Sequence, residues 1–218
     1  MNRYSIAIAA FAFVAGVGSA AATESTFTVD LAAIEHEFDA ASFETQDETK
    51  RQAAFEALVQ HAAELSKKYP DRVEAVAWEG IVLSTYAGEV GAMSAMKYAK
   101  AARAALLRAE RMDPEALGGG LYASLGALYS KVPGGFIGFG DDELAAEYFA
   151  KALQVDPNNI DSNFFYGEFL VDQGDYAQAI AVLDRALKAP TVETRPAFDA
   201  GRRAEIRELL ATAQREAS

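Results

Sequence analysis

The chain has 218 residues, a formal charge of −12 and no cysteine. Such a charge repels nucleic acid and anionic lipid, and no run of Lys and Arg along the sequence reverses the field. The lack of cysteine excludes disulfides, thiolate metal sites and a lipid-acylated amino terminus. A hydrophobic fraction of 51% with 11% aromatics is too high for a disordered acidic chain, so the charge decorates a packed protein.

At the amino end, Arg3 precedes an apolar run over residues 4–18, and Ser19-Ala20-Ala21-Ala22 offers small residues to a signal peptidase. The run is shorter than the roughly 20 residues a membrane-spanning helix needs, and polar Thr23-Glu24-Ser25-Thr26 follows it directly. Residues 1–22 therefore read as a cleavable export signal, with the mature chain starting near Thr23 in the periplasm and not embedded in a membrane. Removing Arg3 takes the charge from −12 to −13. One domain over 23–218 is the expected organisation.

The next elements are helices. Phe55, Leu58, Val59, Ala62 and Leu65 recur at helical spacing and stop at Tyr69-Pro70, and Thr45-x-x-Glu48 and Asp71-x-x-Glu74 have the form of capping boxes. Further on, a repeat is legible without alignment. Ala102, Leu106, Ala109 and Asp113-Pro114 return as Ala145, Phe149, Ala152 and Asp156-Pro157, and Ala145, Phe149 and Ala152 return again as Ala179, Leu183 and Ala186. Small residues suit closely packed antiparallel helices, and an Asp-Pro pair ends a helix because proline disfavours helical backbone at the residue before it. Asp161 is the expected N-cap of the following helix. After Ala189-Pro190, Asp199 to Arg215 is amphipathic, with Ile206, Leu209, Leu210 and Ala213 on one side and Arg202, Arg203 and Arg207 assigned to the outer face. This is the expected capping helix, since an uncovered end would expose an apolar surface.

Tyr122-x-x-Leu125-Gly126-x-x-Tyr129, then Tyr166-Gly167 with Leu170 and Gly174-Asp175-Tyr176-Ala177-Gln178-Ala179-Ile180, resemble the tetratricopeptide repeat pattern, with a looser unit around Trp78, Ile81 and Val82. The resemblance covers residues 73–191 and implies an all-α, right-handed solenoid of helical hairpins. Its expected parts are a degenerate unit at 30–72, units at 73–117, 118–159 and 160–193, and a capping helix at 197–216. Two units are longer than the family's: Gly126 to Ala152 is 26 residues where Gly167 to Ala186 is 19, and Val82 to Ala109 is 27. The extra residues are expected in enlarged hairpin loops, around Val132 to Asp141 and around Gly88 and Gly91. Such loops resemble those of a class of exported bacterial repeat proteins.

Motifs for chemistry are weak. Gly134, Gly135, Gly138 and Gly140 lack the Lys-Ser/Thr of a phosphate loop, and Asp156 to Asp161 lacks the glycine and distal glutamate of a calcium loop. His36 and His61, the two histidines, are 25 residues apart and have no metal-ligand spacing. No catalytic, cofactor-binding or metal-binding residue is assigned. The resemblance implies a scaffold whose concave face holds a protein or peptide. Along the first helix of the last unit, Phe164, Glu168 and Asp172 recur every four residues and are expected to line that groove. Phe136 and Phe139, between glycines, are expected to project towards the same opening. Aromatics with carboxylates would favour a basic, apolar partner. An accessory subunit of an envelope transport system, similar to the repeat-containing component of some tripartite transporters, and an enzyme of unknown reaction remain the alternatives.

Overall fold

The computed structural model describes residues 17–218, with side chains from Thr23 onward. Residues 1–16 of the expected export signal therefore lie outside the described residues. Among the described residues the chain forms nine α-helices and no strand: α1 (Val17–Asp39), α2 (Glu48–Lys68), α3 (Val73–Glu89), α4 (Ala92–Met112), α5 (Gly120–Lys131), α6 (Asp142–Val155), α7 (Ile160–Asp172), α8 (Tyr176–Leu187) and α9 (Pro196–Glu216). Helices α3 and α4, α5 and α6, and α7 and α8 pair as hairpins, each packing on the next, with α1 and α2 before them and α9 closing the row. The result is an all-α helical repeat solenoid.

The repeat has a steric basis. Ala102, Ala109, Ala145, Ala152, Ala179 and Ala186 are all fully buried on the second helices. On the first helices, Gly80, Gly126 and Gly167 each face the large residue of the paired helix. A Cβ at these positions would lie 2.6 Å from Leu106, 2.8 Å from Phe149 and 2.5 Å from Leu183. The glycine and its bulky partner are the unit of packing, and they place Gly80, not Val82, in register with Gly126 and Gly167. Replacing Ala152 by Leu inserts three carbons beside Phe149 and beneath Gly119, whose own Cβ would stand 2.6 Å from the Ala152 carbonyl oxygen. A loss of about 1 to 3 kcal/mol is expected in urea unfolding. A melting curve identical to wild type would refute this register.

Only one of the two expected loops is a loop. In the second unit, residues 132–141 separate α5 from α6. In the first, α3 and α4 are joined through Val90 and Gly91 alone, and the added length sits inside helices of 17 and 21 residues where α7 and α8 have 13 and 12. The Asp-Pro boundaries hold, with α4 ending at Met112 and α6 at Val155.

Three cap expectations change. Asp47, not Thr45, caps α2 by accepting from the Lys50 N–H at 2.9 Å, while the Thr45 hydroxyl donates to the Ala40 carbonyl. Arg72 occupies the cap position of α3 without a side-chain cap, so Asp71 is not one. Asn159 caps α7 through the Ser162 N–H at 2.9 Å, leaving Asp161 on the first turn. An asparagine two residues earlier meets the geometric need, and the aspartate is free for the ion pair described below.

Between α4 and α5 the chain makes a left-handed turn. Leu117, Gly118 and Gly119 have φ of 59°, 57° and 87°. Glycine at 119 is required twice over, by its backbone conformation and by the Ala152 carbonyl against it.

Candidate partner-binding cavity

The first helices of the hairpins, α1, α3, α5 and α7, stand side by side, with α9 after them. Their inward faces enclose a cavity of about 950 Å³, with Trp78, Ser84, Ser124, Asp161, Phe165 and Glu168 among its walls. One side of it is formed where the two ends of the solenoid meet. A π-helical turn, residues 40–44, continues α1 and packs against α9. There Phe43 stands edge-on to Phe198 with ring centroids 6.0 Å apart, and Gly201 leaves no room for a side chain beside the Phe43 ring.

This junction is locked by charge. Arg195, one residue before α9, donates from Nε to Asp39 Oδ2 at 3.0 Å and from Nη2 to Oδ1 at 2.5 Å. The Asp39 carboxylate is 5% exposed and the Arg195 side chain 18%. The guanidinium also lies over Trp78 at 5.2 Å and Phe198 at 4.4 Å. A bidentate pair in apolar surroundings is strong in place and costly to break.

Arg202 is the second inward cation, which corrects its assignment to the outer face of α9. It is buried, 2.7 Å from Asp161 and 2.5 Å from Glu205, and stacked on Phe164 at 4.3 Å. Phe198, Arg202 and Ile206 follow each other every four residues, so their spacing already put Arg202 on the buried face. Arg203 is not an outer residue either. It binds Asp199 and donates to the carbonyls of Leu187 and Ala189, covering the end of α8.

The remaining wall cations are matched too, Arg51 with Glu89 at 3.0 Å and Lys131 with Glu168 at 3.1 Å. Arg51, Lys131, Arg195 and Arg202 face five wall carboxylates, Glu35, Glu89, Asp161, Glu168 and Glu205. With Arg195 engaged by Asp39, the balance is acidic. Burial pushes the Glu35 carboxyl above the ordinary range, opposed by Arg195 and reinforced by Asp39. Glu205, half-exposed at the rim, is raised by the same desolvation, with Arg202 opposing. Beside Glu35, the Oγ of Ser42 has no hydrogen-bond partner, while the Nε1–H of buried Trp78 favours the ionised Glu35 carboxylate.

The raised Glu35 has a definite sign in stability. Its folded form binds a proton more tightly than the unfolded chain does, so its contribution is fully present below pH 4.5 and is lost as pH rises through the elevated value. Glu35→Gln should raise stability at neutral pH and flatten the dependence above pH 4.5. Asp199 acts oppositely. Arg203 holds its carboxyl below 3.8, so that support disappears as pH falls beneath 3.8. Urea unfolding across pH separates the two, and a Glu35→Gln curve parallel to wild type would contradict the assignment.

The five residues expected to bind a partner fall in three places. Phe164 and Glu168 line the cavity. Phe164, however, is 8% exposed and belongs to the apolar contact between α7, α8 and α9, so it supports the wall more than it presents a ring. Asp172 lies further along α7, outside the lining, and accepts from Lys131 Nζ at 2.6 Å. Phe136 and Phe139 do not share this opening. They border a separate depression against α4, because the chain turns outward after Pro133. Glu35, Trp78, Arg195, Phe198 and Arg202 complete the site and were not anticipated. The spacing along α9 could have found Arg202. No local pattern could have paired Asp39 with Arg195.

A tetratricopeptide repeat family model matches residues 137–195, from the loop through α6, α7 and α8, and no curated protein matches the chain. Among the described residues no helix is long and apolar enough to cross a membrane. Helix order, the glycine-against-bulky packing repeated in three hairpins and this match agree on a helical repeat of the tetratricopeptide type, with the family match itself confined to residues 137–195.

Proposed function

We propose that the protein is an exported, non-enzymatic scaffold that holds a basic, apolar segment of a partner protein in the cavity between its first helices. The observation that carries this reading is the wall itself, which includes Phe43, Trp78 and Phe165 and is richer in carboxylates than in available cations. A half-buried carboxylate without a direct ion pair, as at Glu35, gains most from an incoming ammonium or guanidinium. Ser42 Oγ adds a hydroxyl for polar groups of the ligand. The groove residues of the proposal are Glu35, Trp78, Phe165, Glu168 and Glu205, with Phe164 as support and Asp172 acting through Lys131.

Export to the periplasm is part of the same proposal and rests on residues 1–22. A chain beginning at Thr23 keeps Glu24 on Arg72 at 2.6 Å and Phe27 against Tyr69 at 5.0 Å, so α1 stays anchored after cleavage. Intact-mass measurement on fractionated cells tests it, and retention of residues 1–22 on a detergent-extracted protein would contradict it. A role in an envelope transport assembly would use the same groove.

Binding is tested by fluorescence anisotropy with a labelled decapeptide of alternating Lys and Leu. Affinity should fall with added salt, through the charged part of the contact. It should weaken in Glu35→Gln with Glu205→Gln and in Glu168→Gln with Asp172→Asn, each checked for an intact melting transition. Equal binding by both folded variants would remove the cavity from consideration.

A further inference from the structure

The loop between α5 and α6 is built as a rigid support for two exposed apolar side chains. Gly134 and Gly140 pair across its base, Gly140 N–H donates to the Pro133 carbonyl at 3.0 Å, and Asp141 N–H donates to the Tyr129 carbonyl at 3.0 Å. Gly134, Gly138 and Gly140 lie so close to neighbouring backbone that no side chain fits, and Gly135 has φ of 69°. Phe139 is pinned inward, edge-on to Tyr129 at 5.7 Å and under the Arg103 guanidinium at 4.7 Å. What this tied loop presents is Phe136, fully exposed, and Ile137, 75% exposed. Adjacent large apolar residues held in water on an ordered tip are unfavourable unless something covers them.

The ground beside the tip is cationic. Lys100 and Arg103, one turn apart on α4, border a depression of about 440 Å³ with Leu107, Phe136, Ile137 and Phe139. Neither cation has an ion pair among the described residues, and Arg103 Nε is buried without a hydrogen-bond partner. The two acids at the end of the loop are engaged elsewhere. Asp141 accepts from the Leu144 N–H and caps α6, and Asp142 accepts from Gln173. In a chain of charge −12, this is an apolar site with uncompensated positive charge, the reverse of the cavity.

We propose that the 132–141 loop and the adjoining face of α4 form a second docking surface, which takes an acidic, apolar segment of a partner protein. Phe136 and Ile137 enter an apolar hollow of the partner, and Lys100 and Arg103 meet carboxylates at its edge. The site shares none of the residues on which the cavity reading depends, so the scaffold would hold two partners of opposite charge. Both surfaces together make the protein a bridge, and either proposal can fail alone.

The test uses the full mature chain and a labelled decapeptide of alternating Glu and Leu, measured by anisotropy beside the Lys–Leu peptide. Wild type should bind the Glu–Leu peptide. Phe136→Ser with Ile137→Ser, and separately Lys100→Glu, should weaken it about tenfold or more, as expected for anchor residues. Both changes are at exposed positions, so melting temperatures should hold, and Lys–Leu binding should not move. Absent binding of the Glu–Leu peptide to wild type, or equal binding by wild type and variants, overturns the proposal. So would vesicles of phosphatidylcholine with phosphatidylserine that bind wild type and lose binding in these variants, since the occupant would then be a lipid surface. Self-association of wild type abolished by Phe136→Ser with Ile137→Ser would likewise replace the partner by a second copy.

Discussion

Asp39→Ala should lower unfolding stability by about 3 to 5 kcal/mol, the largest single effect expected in this protein. The carboxylate it removes is almost wholly buried and makes two hydrogen bonds to Arg195. Without it, a guanidinium remains in a box of Trp78 and Phe198, with Glu35 as the nearest acid able to respond. Glu35 should then ionise more readily, because Asp39 raises its proton affinity and Arg195 lowers it. Arg195→Ala should be comparably costly but with the opposite pH trend. It leaves Asp39 and Glu35 close together without a cation, so the loss grows as pH rises. Replacing both partners, as Asp39→Leu with Arg195→Met, should cost far less than either single change, since no buried charge is then stranded. Urea unfolding of the four proteins gives the coupling energy. Amide exchange at residues 40–44 and 196–200 should quicken in the single variants, because those segments form the seam. Single variants within about 0.5 kcal/mol of wild type would mean that the solenoid ends are not held by this pair.

A second large effect is expected at Gly126. An added methyl would sit 2.8 to 3.0 Å from three atoms of the Phe149 ring. That ring is fully buried and packed against Tyr166 and Phe169, each at 5.5 Å, so it has nowhere to retreat. Gly126→Ala should therefore cost about 1 to 3 kcal/mol despite the better helix propensity of alanine, and Gly126→Leu more. Gly80→Ala against Leu106 and Gly167→Ala against Leu183 should behave alike, because all three glycines answer the same contact. Gly88 supplies the contrast. It lies in α3 with nothing within 4 Å of an added Cβ, so Gly88→Ala should gain up to about 1 kcal/mol. Thermal unfolding of the four variants decides the matter, and stabilisation at all four positions would show that the interhelix distance is not set by glycine.

The two predictions differ in how far each could be read along the chain. Gly126 with Phe149, and Gly167 with Leu183, belong to patterns repeating within one hairpin, where helix period and close approach dictate residue type. Ala145, Ala152, Asp113-Pro114 and Asp156-Pro157 were legible for the same reason: a helix must end at such a pair, and a tight helix contact admits only small side chains. The sequence by itself therefore determined α2, the helices of the later hairpins, the closing α9 and the solenoid class, but not α1. It misplaced the first unit's added length, because helix extension and loop insertion leave the same residue count.

Only the tertiary structure decided where the ends of the solenoid fall. Asp39 and Arg195 are 156 positions apart, and their meeting is the sum of small rotations between successive hairpins, each leaving no local signature. The same rotations turn the first helices inward around a cavity and bury Phe164 beneath α9, while the turn after Pro133 carries Phe136 and Phe139 to another face. Residue types set each contact, and the accumulated curvature of the stack set which distant contacts exist.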